Sequence, residues 1–174
     1  MHYINHYNSP LGTITFASNG KELTGLWFNG QKYFASTLTK EYEQKSLPVF
    51  EQTAKWLDIY FSSKNPDFTP PLFLSSTSFR NEVWKILLTI PYGKIMTYGE
   101  IAKLMAENRG VEKMSAQSVG GAVGHNPISI IVPCHRVVGT DGSLTGYAGG
   151  VDIKEKLLKF ENVDMSKLFV PKSK

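Results

Sequence analysis

Cys134, His135 and Arg136 stand in a row after an apolar run, and Cys134 is the only cysteine among 174 residues. A free thiol, with a pKa near ~8.5, is only a few per cent thiolate at neutral pH, and the thiolate is the nucleophile. An adjacent imidazole and guanidinium are neighbours that raise that fraction, so the tripeptide has the make-up of an activated sulfur nucleophile. The competing reading is an inert core thiol, because a buried free cysteine behaves as a small hydrophobe. A carboxylate further on bears on the choice. Asp152 and Glu155 form a D-x-x-E cap, Ile153, Leu157 and Leu158 make the inner face of the helix that follows, and the same phase brings Glu161 toward the core. Burial and the negative end of the helix dipole both oppose an anion there unless a partner such as His135 compensates. A Cys-His-Glu relay, in which the acid orients the imidazole and the imidazole takes the thiol proton, accounts for the placement. The alternative is a Glu161 that swings to solvent at a frayed helix end.

The elements that must position these groups fall into two stretches. Residues 3–28 alternate apolar and polar positions between the turn signals Ser9-Pro10-Leu11-Gly12 and Asn19-Gly20, which predicts three short antiparallel strands. Phe50 to Phe61 has apolar residues at 50, 54, 57 and 61, the spacing of an amphipathic helix packed on that sheet. Ser62 to Ser76, rich in Pro, Ser and Asn, reads as a linker, so residues 1–76 and 77–174 are expected to form two lobes. Beyond it, Ser78 is placed as the cap of a helix to about Leu88, and Thr97 with Glu100 makes a capping box for a helix from Tyr98 to Ala106. Ser115 caps another helix from Ala116 to about Val123. Two short helices in succession suggest a helix-turn-helix, although the join from Glu107 to Met114 is longer than usual. The second helix carries Ala116, Gly120, Gly121, Ala122 and Gly124, and each glycine costs a helix about 1 kcal/mol relative to alanine. Small side chains permit close approach to a surface, either a neighbouring helix or a nucleic-acid backbone. Asn126-Pro127 marks a turn, and Ile128 to Val132 reads as a buried extended segment ending at Pro133.

Bulk properties narrow the classes. With 41% apolar and 20% charged residues the chain has an ordinary globular composition, without an apolar run of the roughly 18 residues needed to span a bilayer and without the signature of a secretory leader. A cytoplasmic protein is the expectation. One cysteine excludes an internal disulfide, and His2, His6, His125 and His135 make no metal-ligand spacing, so neither a metal nor a cofactor is expected. The net charge of +4 lies wholly after residue 76, where 13 basic side chains face 9 acidic ones. That excess points toward a polyanion or, alternatively, reflects a solvated surface to which Lys167, Lys172 and Lys174 contribute.

One stretch is specific enough to name a family. Ile131 to Val138 (IVPCHRVV), preceded by Gly120-Gly121-Ala122 and Asn126-Pro127 and followed by Gly146-Tyr147-Ala148-Gly149-Gly150 and Lys154-Glu155-x-Leu157-Leu158, closely resembles the O6-alkylguanine-DNA alkyltransferases. The resemblance runs from Phe79 to about Glu161. The N-terminal lobe resembles the family in its strand-then-helix plan, similar to a ribonuclease-H-like fold. The resemblance implies an α+β protein whose C-terminal lobe is mostly helical and winged helix-turn-helix-like. It implies a monomer that binds double-stranded DNA containing O6-alkylguanine, or O4-methylthymine, and accepts the alkyl group once.

Position by position, the resemblance makes Cys134 the alkyl acceptor, His135 a base acting through a water and Glu161 the acid that orients it. Asn126 becomes a brace for the cysteine turn, and Tyr98 the hydroxyl that serves the purine N3. Val137, Tyr147, Ala148 and Gly149 become walls of the base pocket, with Arg136 grouped among the DNA-binding residues. Ala148 stands where relatives often carry serine. Ala116 and Gly120 lie on the helix expected in the minor groove, and Gln117 occupies the place of an intercalating arginine, so base flipping or affinity is expected to be weaker.

Overall fold

The computed structural model describes residues 1–171; Lys172 and Lys174 lie outside the described residues. The N-terminal sheet begins with β1 (His2–Ser9), β2 (Gly12–Ser18) and β3 (Leu23–Phe28), an antiparallel meander as the alternation predicts. The β1–β2 turn passes through Gly12 at φ +117°, a backbone conformation that costs glycine least. A fourth strand, β4 (Tyr42–Gln44), pairs parallel to β1 and completes the order β3-β2-β1-β4. It escaped the sequence reading because its three residues are all exposed and so carry no apolar alternation.

Helix α1 (Pro48–Tyr60) starts two residues before the predicted Phe50, with proline in its first turn, where the missing N–H costs nothing. It buries Val49, Phe50, Thr53, Trp56, Leu57 and Tyr60. The Phe50 ring lies 5.8 Å from that of Phe16 on β2.

The helices of the second half are α2 (Ser78–Leu87), α3 (Tyr98–Arg109), α4 (Ala116–Gly124) and α5 (Val151–Phe160). Thr77, not Ser78, caps α2 by accepting from the Arg80 amide, so Ser78 is the first helical residue. Thr97 accepts from the Glu100 amide and Ser115 from the Ser118 amide, as expected of N-caps. Helix α3 runs three residues past Ala106 and stops at Gly110, whose left-handed conformation closes it. The turn to α4 is thereby shortened to Gly110–Ser115, closer to an ordinary helix-turn-helix. Two-residue strands β5 (Met96–Thr97) and β6 (Val137–Val138) pair in parallel and bring the start of α3 beside the exit of the cysteine turn.

The halves meet along β3. Leu26 exchanges backbone hydrogen bonds with Pro127 and Ser129 at 2.9 Å, and one contiguous apolar core contains Phe16, Leu57, Val83, Ile128 and Cys134. No helix among the described residues is long and apolar enough to cross a membrane.

Candidate active site

Residues 126–136 form a knot of tight turns rather than the extended segment expected from their β-branched composition. Burial was read correctly, since Ile128, Ile130 and Val132 are sealed. The path was not: Ile130 is held at φ +69°, and only Ile128 makes a bridge to β3. Asn126 secures the knot. Its amide nitrogen donates to the carbonyls of Ile128 and Val132, and its oxygen accepts from the Ile128 amide. A side chain substitutes for the sheet ladder, meeting the rule that buried backbone polar groups must be paired. Cys134–Arg136 then form one turn of 3₁₀ helix.

Glu161 is buried at the C-terminal end of α5, as the helix phase predicted. Four donors converge on its carboxylate: Oε2 accepts from His135 Nε2 at 2.5 Å and from the Tyr60 hydroxyl at 2.7 Å, while Oε1 accepts from Arg136 Nε at 2.7 Å and from the Gly93 amide at 3.0 Å. Burial alone would raise the pKa of this acid, but His135, Arg136 and the Gly93 amide outweigh it and hold Glu161 at about 2. His135 is completely buried, and that burial lowers its pKa against the pull of Glu161. We therefore read a neutral imidazole donating Nε2–H to a carboxylate, which leaves Nδ1 as the free acceptor for a proton. Nδ1 has no hydrogen-bond partner among the described residues. An imidazole oriented by an acid through one nitrogen and open at the other is the usual form of a general base.

Arg136 requires a correction. It was grouped with the DNA-binding residues, but it is 7% exposed, with Nε on Glu161 and Nη1 donating to the Ile90 carbonyl at 2.7 Å. Its guanidinium neutralises the buried acid and is spent within the protein.

A second correction concerns α5. Asp152 makes no cap; the helix starts after Gly150 at φ +99° without a side-chain cap. Its innermost residue at the N-terminal end is Lys154, fully buried, whereas Ile153 is only partly so. Lys154 Nζ donates to the carbonyls of Val137 and Thr145. Burial lowers its pKa to about 8, while proximity to Cys134 pulls the other way. Conversely, burial raises the Cys134 thiol, and the Asn126 amide and the Lys154 cation oppose that rise. Lys154→Met keeps the aliphatic stem and removes the charge. We expect the Cys134 titration midpoint, followed by thiolate ultraviolet absorbance, to rise by about one pH unit. An unmoved midpoint would show that the cation does not support the thiolate.

Of the remaining predicted residues, Gly120, Tyr147 and Ala148 line a cleft. Val137 is fully buried and Tyr147 is 8% exposed. Tyr98, at the start of α3, donates its hydroxyl to the Thr145 carbonyl at 3.0 Å, and burial followed by the proximity of Cys134 pushes its pKa up to about 12. A cavity of about 260 Å³ opens beside this group, lined by Gly120, Gly121, Gly124, Gly146, Tyr147 and Ala148, with Lys32, Tyr33 and His125 on its other side. A Cβ on Gly121 or Gly124 would meet nothing within 4 Å, and one on Gly120 only the Tyr98 ring at 3.8 Å. Packing within the chain therefore does not require these glycines, and what they leave is open space against the cleft. Gly149 differs, because a Cβ there would strike the Tyr147 ring at 2.7 Å. Ala116 and Gln117 are exposed at the N-terminal end of α4, ahead of the cavity-lining glycines.

Residues 78–163 match the DNA-binding domain of 6-O-methylguanine DNA methyltransferase, and residues 2–74 match the ribonuclease-like domain of the same proteins. The chain belongs to the 6-O-methylguanine DNA methyltransferase family. It is 38% identical over 162 residues to a methylated-DNA–protein-cysteine methyltransferase of Haemophilus influenzae, covering 92% of this chain and 87% of that one. A protein of the same name from Methanosarcina barkeri is 43% identical over 159 residues, covering 91% and 96%. Among solved structures, Mycobacterium tuberculosis OGT in complex with DNA superposes with a TM-score of 0.78 at 41% identity, covering 91% of this chain and 92% of that one.

Sequence reasoning missed four groups that the fold places around this candidate methyltransferase site. The spacing 154, 157, 158, 161 was a usable signal for Lys154, since all four positions share one helix face. Tyr60 lies on the buried face of α1, but its partner Glu161 is 101 residues away. Gly93 contributes only a backbone N–H, and the Lys32–Tyr33 loop reaches the cleft by chain path alone. None of these three leaves a trace in a pattern.

Proposed function

We propose that this chain repairs DNA by direct reversal, transferring a methyl or other alkyl group from O6-alkylguanine, and by the same chemistry from O4-methylthymine, to Cys134. One observation carries the reading: the single cysteine sits beside a buried imidazole whose Nε2–H is held by a carboxylate with four donors. A cleft bounded by small residues is lined by Tyr147, whose hydroxyl feels the charge of Cys134.

The residues divide the work as follows. The C-terminal part, from residue 77, binds duplex phosphates in a salt-sensitive, largely sequence-independent way, with α4 entering the minor groove. The modified nucleotide is everted at a cost of a few kcal/mol, less where alkylation has already weakened the pair. Val137, Tyr147, Ala148 and Gly149 receive the base. Cys134 is 5% exposed, so its sulfur is shielded from bulk electrophiles. His135 takes the thiol proton through Nδ1 by way of a water, and the sulfur attacks the alkyl carbon. The S–C bond forms as the C–O6 bond breaks, and the electron pair leaves on the purine. Tyr98 offers a proton toward N3, and the proton removed from sulfur balances the restored guanine. The thioether is stable and no second thiol is present to exchange it, so each chain acts once, as a monomer, without a metal or cofactor.

Intact mass spectrometry after incubation with a duplex carrying O6-methylguanine tests this reading. The expected gain is one CH₂ unit, mapped to Cys134. Unchanged protein mass with release of product would instead indicate a hydrolase, and unchanged mass with a stable complex would indicate a lesion-binding protein.

Gln117 is uncharged and shorter than the arginine it replaces. We expect Gln117→Arg to tighten duplex binding by about three- to tenfold at moderate salt and to steepen the salt dependence by about one counterion. Equal affinity across a salt titration would mean that another group already fills the vacated stack.

A further inference from the structure

Tyr60 belongs to the N-terminal α1, yet its hydroxyl ends inside the relay. It is fully buried and donates to Glu161 Oε2 at 2.7 Å, lying also 3.4 Å from His135 Nε2 and 3.3 Å from the Leu157 carbonyl. Its ring stands edge-on to His135 at 6.3 Å and 82°, and is fixed from behind by stacking on Trp56 at 5.4 Å and 10°. The hydroxyl therefore cannot leave the carboxylate by a simple rotamer change, because aromatic contacts clamp the ring on two sides.

The consequence lies in how one oxygen is shared. Oε1 is taken by Arg136 and the Gly93 amide, which leaves Oε2 alone to serve His135. A second donor on Oε2 withdraws negative charge from the imidazole that the acid orients. It also blocks the direction in which the carboxylate could rotate away from Nε2. We infer that Tyr60 is a positioning residue of the relay, one hydroxyl from the N-terminal part that aims the Glu161 carboxylate and limits how strongly it stabilises a protonated His135. The inference rests on the relay assigned under the proposed function and adds the N-terminal part to it.

The groups facing His135 are Tyr60 from α1, Arg136 and Cys134 on either side of it, Lys154 from α5 and Glu161 at the end of α5, with Tyr92 in the turn after α2 beside Arg136 and Glu161. Arg136 and Lys154 both disfavour an imidazolium, while Glu161 favours it. Removing the Tyr60 hydroxyl leaves the cations in place and returns charge on Oε2 to His135, so the pH at which the ring gains its second proton should rise.

The experiment uses the full chain and its Tyr60→Phe variant, with ¹⁵N-labelled histidine followed by NMR across pH in the absence of DNA. We expect Nε2–H to be the neutral tautomer in the parent protein and the His135 midpoint to rise by about half a pH unit or more in the variant, a part of the roughly one to two units that a whole hydrogen bond to a charged group is worth, since only the share of it felt by His135 counts. Site-specific 3-fluorotyrosine at position 60, a stronger donor of nearly the same shape, should move the midpoint the other way and guards against a folding defect in the first variant. The low-pH limb of methyl transfer from a methylated duplex should follow both shifts, with duplex affinity unchanged. A His135 midpoint that stays put in both proteins overturns the inference, whatever happens to the rate, because a purely packing role would change stability without changing proton affinity. The NMR readout needs no methyl transfer, so a chain that fails to repair would count against the proposed function and leave this result standing on its own.

Discussion

Cys134→Ala is expected to abolish methyl transfer completely while duplex affinity stays within about twofold, because phosphate contacts supply most of the affinity of a DNA-binding protein and a buried thiol makes none. In the proposed reaction the sulfur is both nucleophile and final acceptor, and the described residues hold no other thiol. Loss should therefore be absolute, unlike the partial loss that follows removal of a helper group. The fold should tolerate the change. Cys134 sits in the apolar core with Val132 and Val137, and replacing sulfur by a methyl hydrogen leaves a small void costing on the order of 1 kcal/mol. The measurement is a single-turnover assay with a methylated duplex alongside an electrophoretic binding titration. Residual methyl transfer to protein would overturn the acceptor assignment, and loss of binding along with transfer would place the cysteine in the DNA interface.

Glu161→Gln should show the next largest effect, on rate and stability together. The amide keeps the size of the side chain and one acceptor oxygen, but it removes the charge that compensates Arg136 and orients His135. Losing an oriented general base typically costs 10²- to 10⁴-fold, and we expect transfer to slow by about a hundredfold because the imidazole itself remains. Breaking a buried ion pair by removing one partner costs about 3–5 kcal/mol, which in a chain of this size corresponds to a fall in Tm on the order of 10 °C.

The pH dependence has a definite sign. Glu161 has a folded pKa of about 2, below its ordinary 4.5, so its stabilising contribution is present above 4.5 and is lost as pH falls toward 2. The stability gap between parent and variant should therefore be full at neutral pH and close in acid. A gap independent of pH would assign the destabilisation to packing rather than charge, and an unchanged transfer rate would reject the relay.

Much of the architecture was legible because it follows from local periodicity. The meander from Tyr3 to Phe28 and the inner faces of α1 and α5 repeat at the periods that one buried side requires. The N-caps at Thr97 and Ser115 have a side-chain signature that works over three residues. Errors came where a long-range contact replaced a local rule. The exposed β4 is recruited only by the edge of β1, and residues 128–132 turn instead of extending because the Asn126 amide holds three backbone groups at once. The supposed cap at Asp152 was pre-empted by Gly150, which starts the helix from a left-handed approach.

For the site, the sequence by itself determined which groups were the candidates: one thiol, the imidazole next to it, and an acid whose helix phase aims it inward. It could do so because neighbours along the chain and along a helix face are fixed by covalent and helical geometry. Only the tertiary structure decided what each group is worth. It turned Arg136 from one of the DNA-binding residues into the counterion of Glu161, buried Lys154 near Cys134, and brought the Tyr60 hydroxyl from 101 residues away onto the same carboxylate. Charge and proton affinity depend on burial and on partners remote in sequence, and those are known only when the chain has closed on itself.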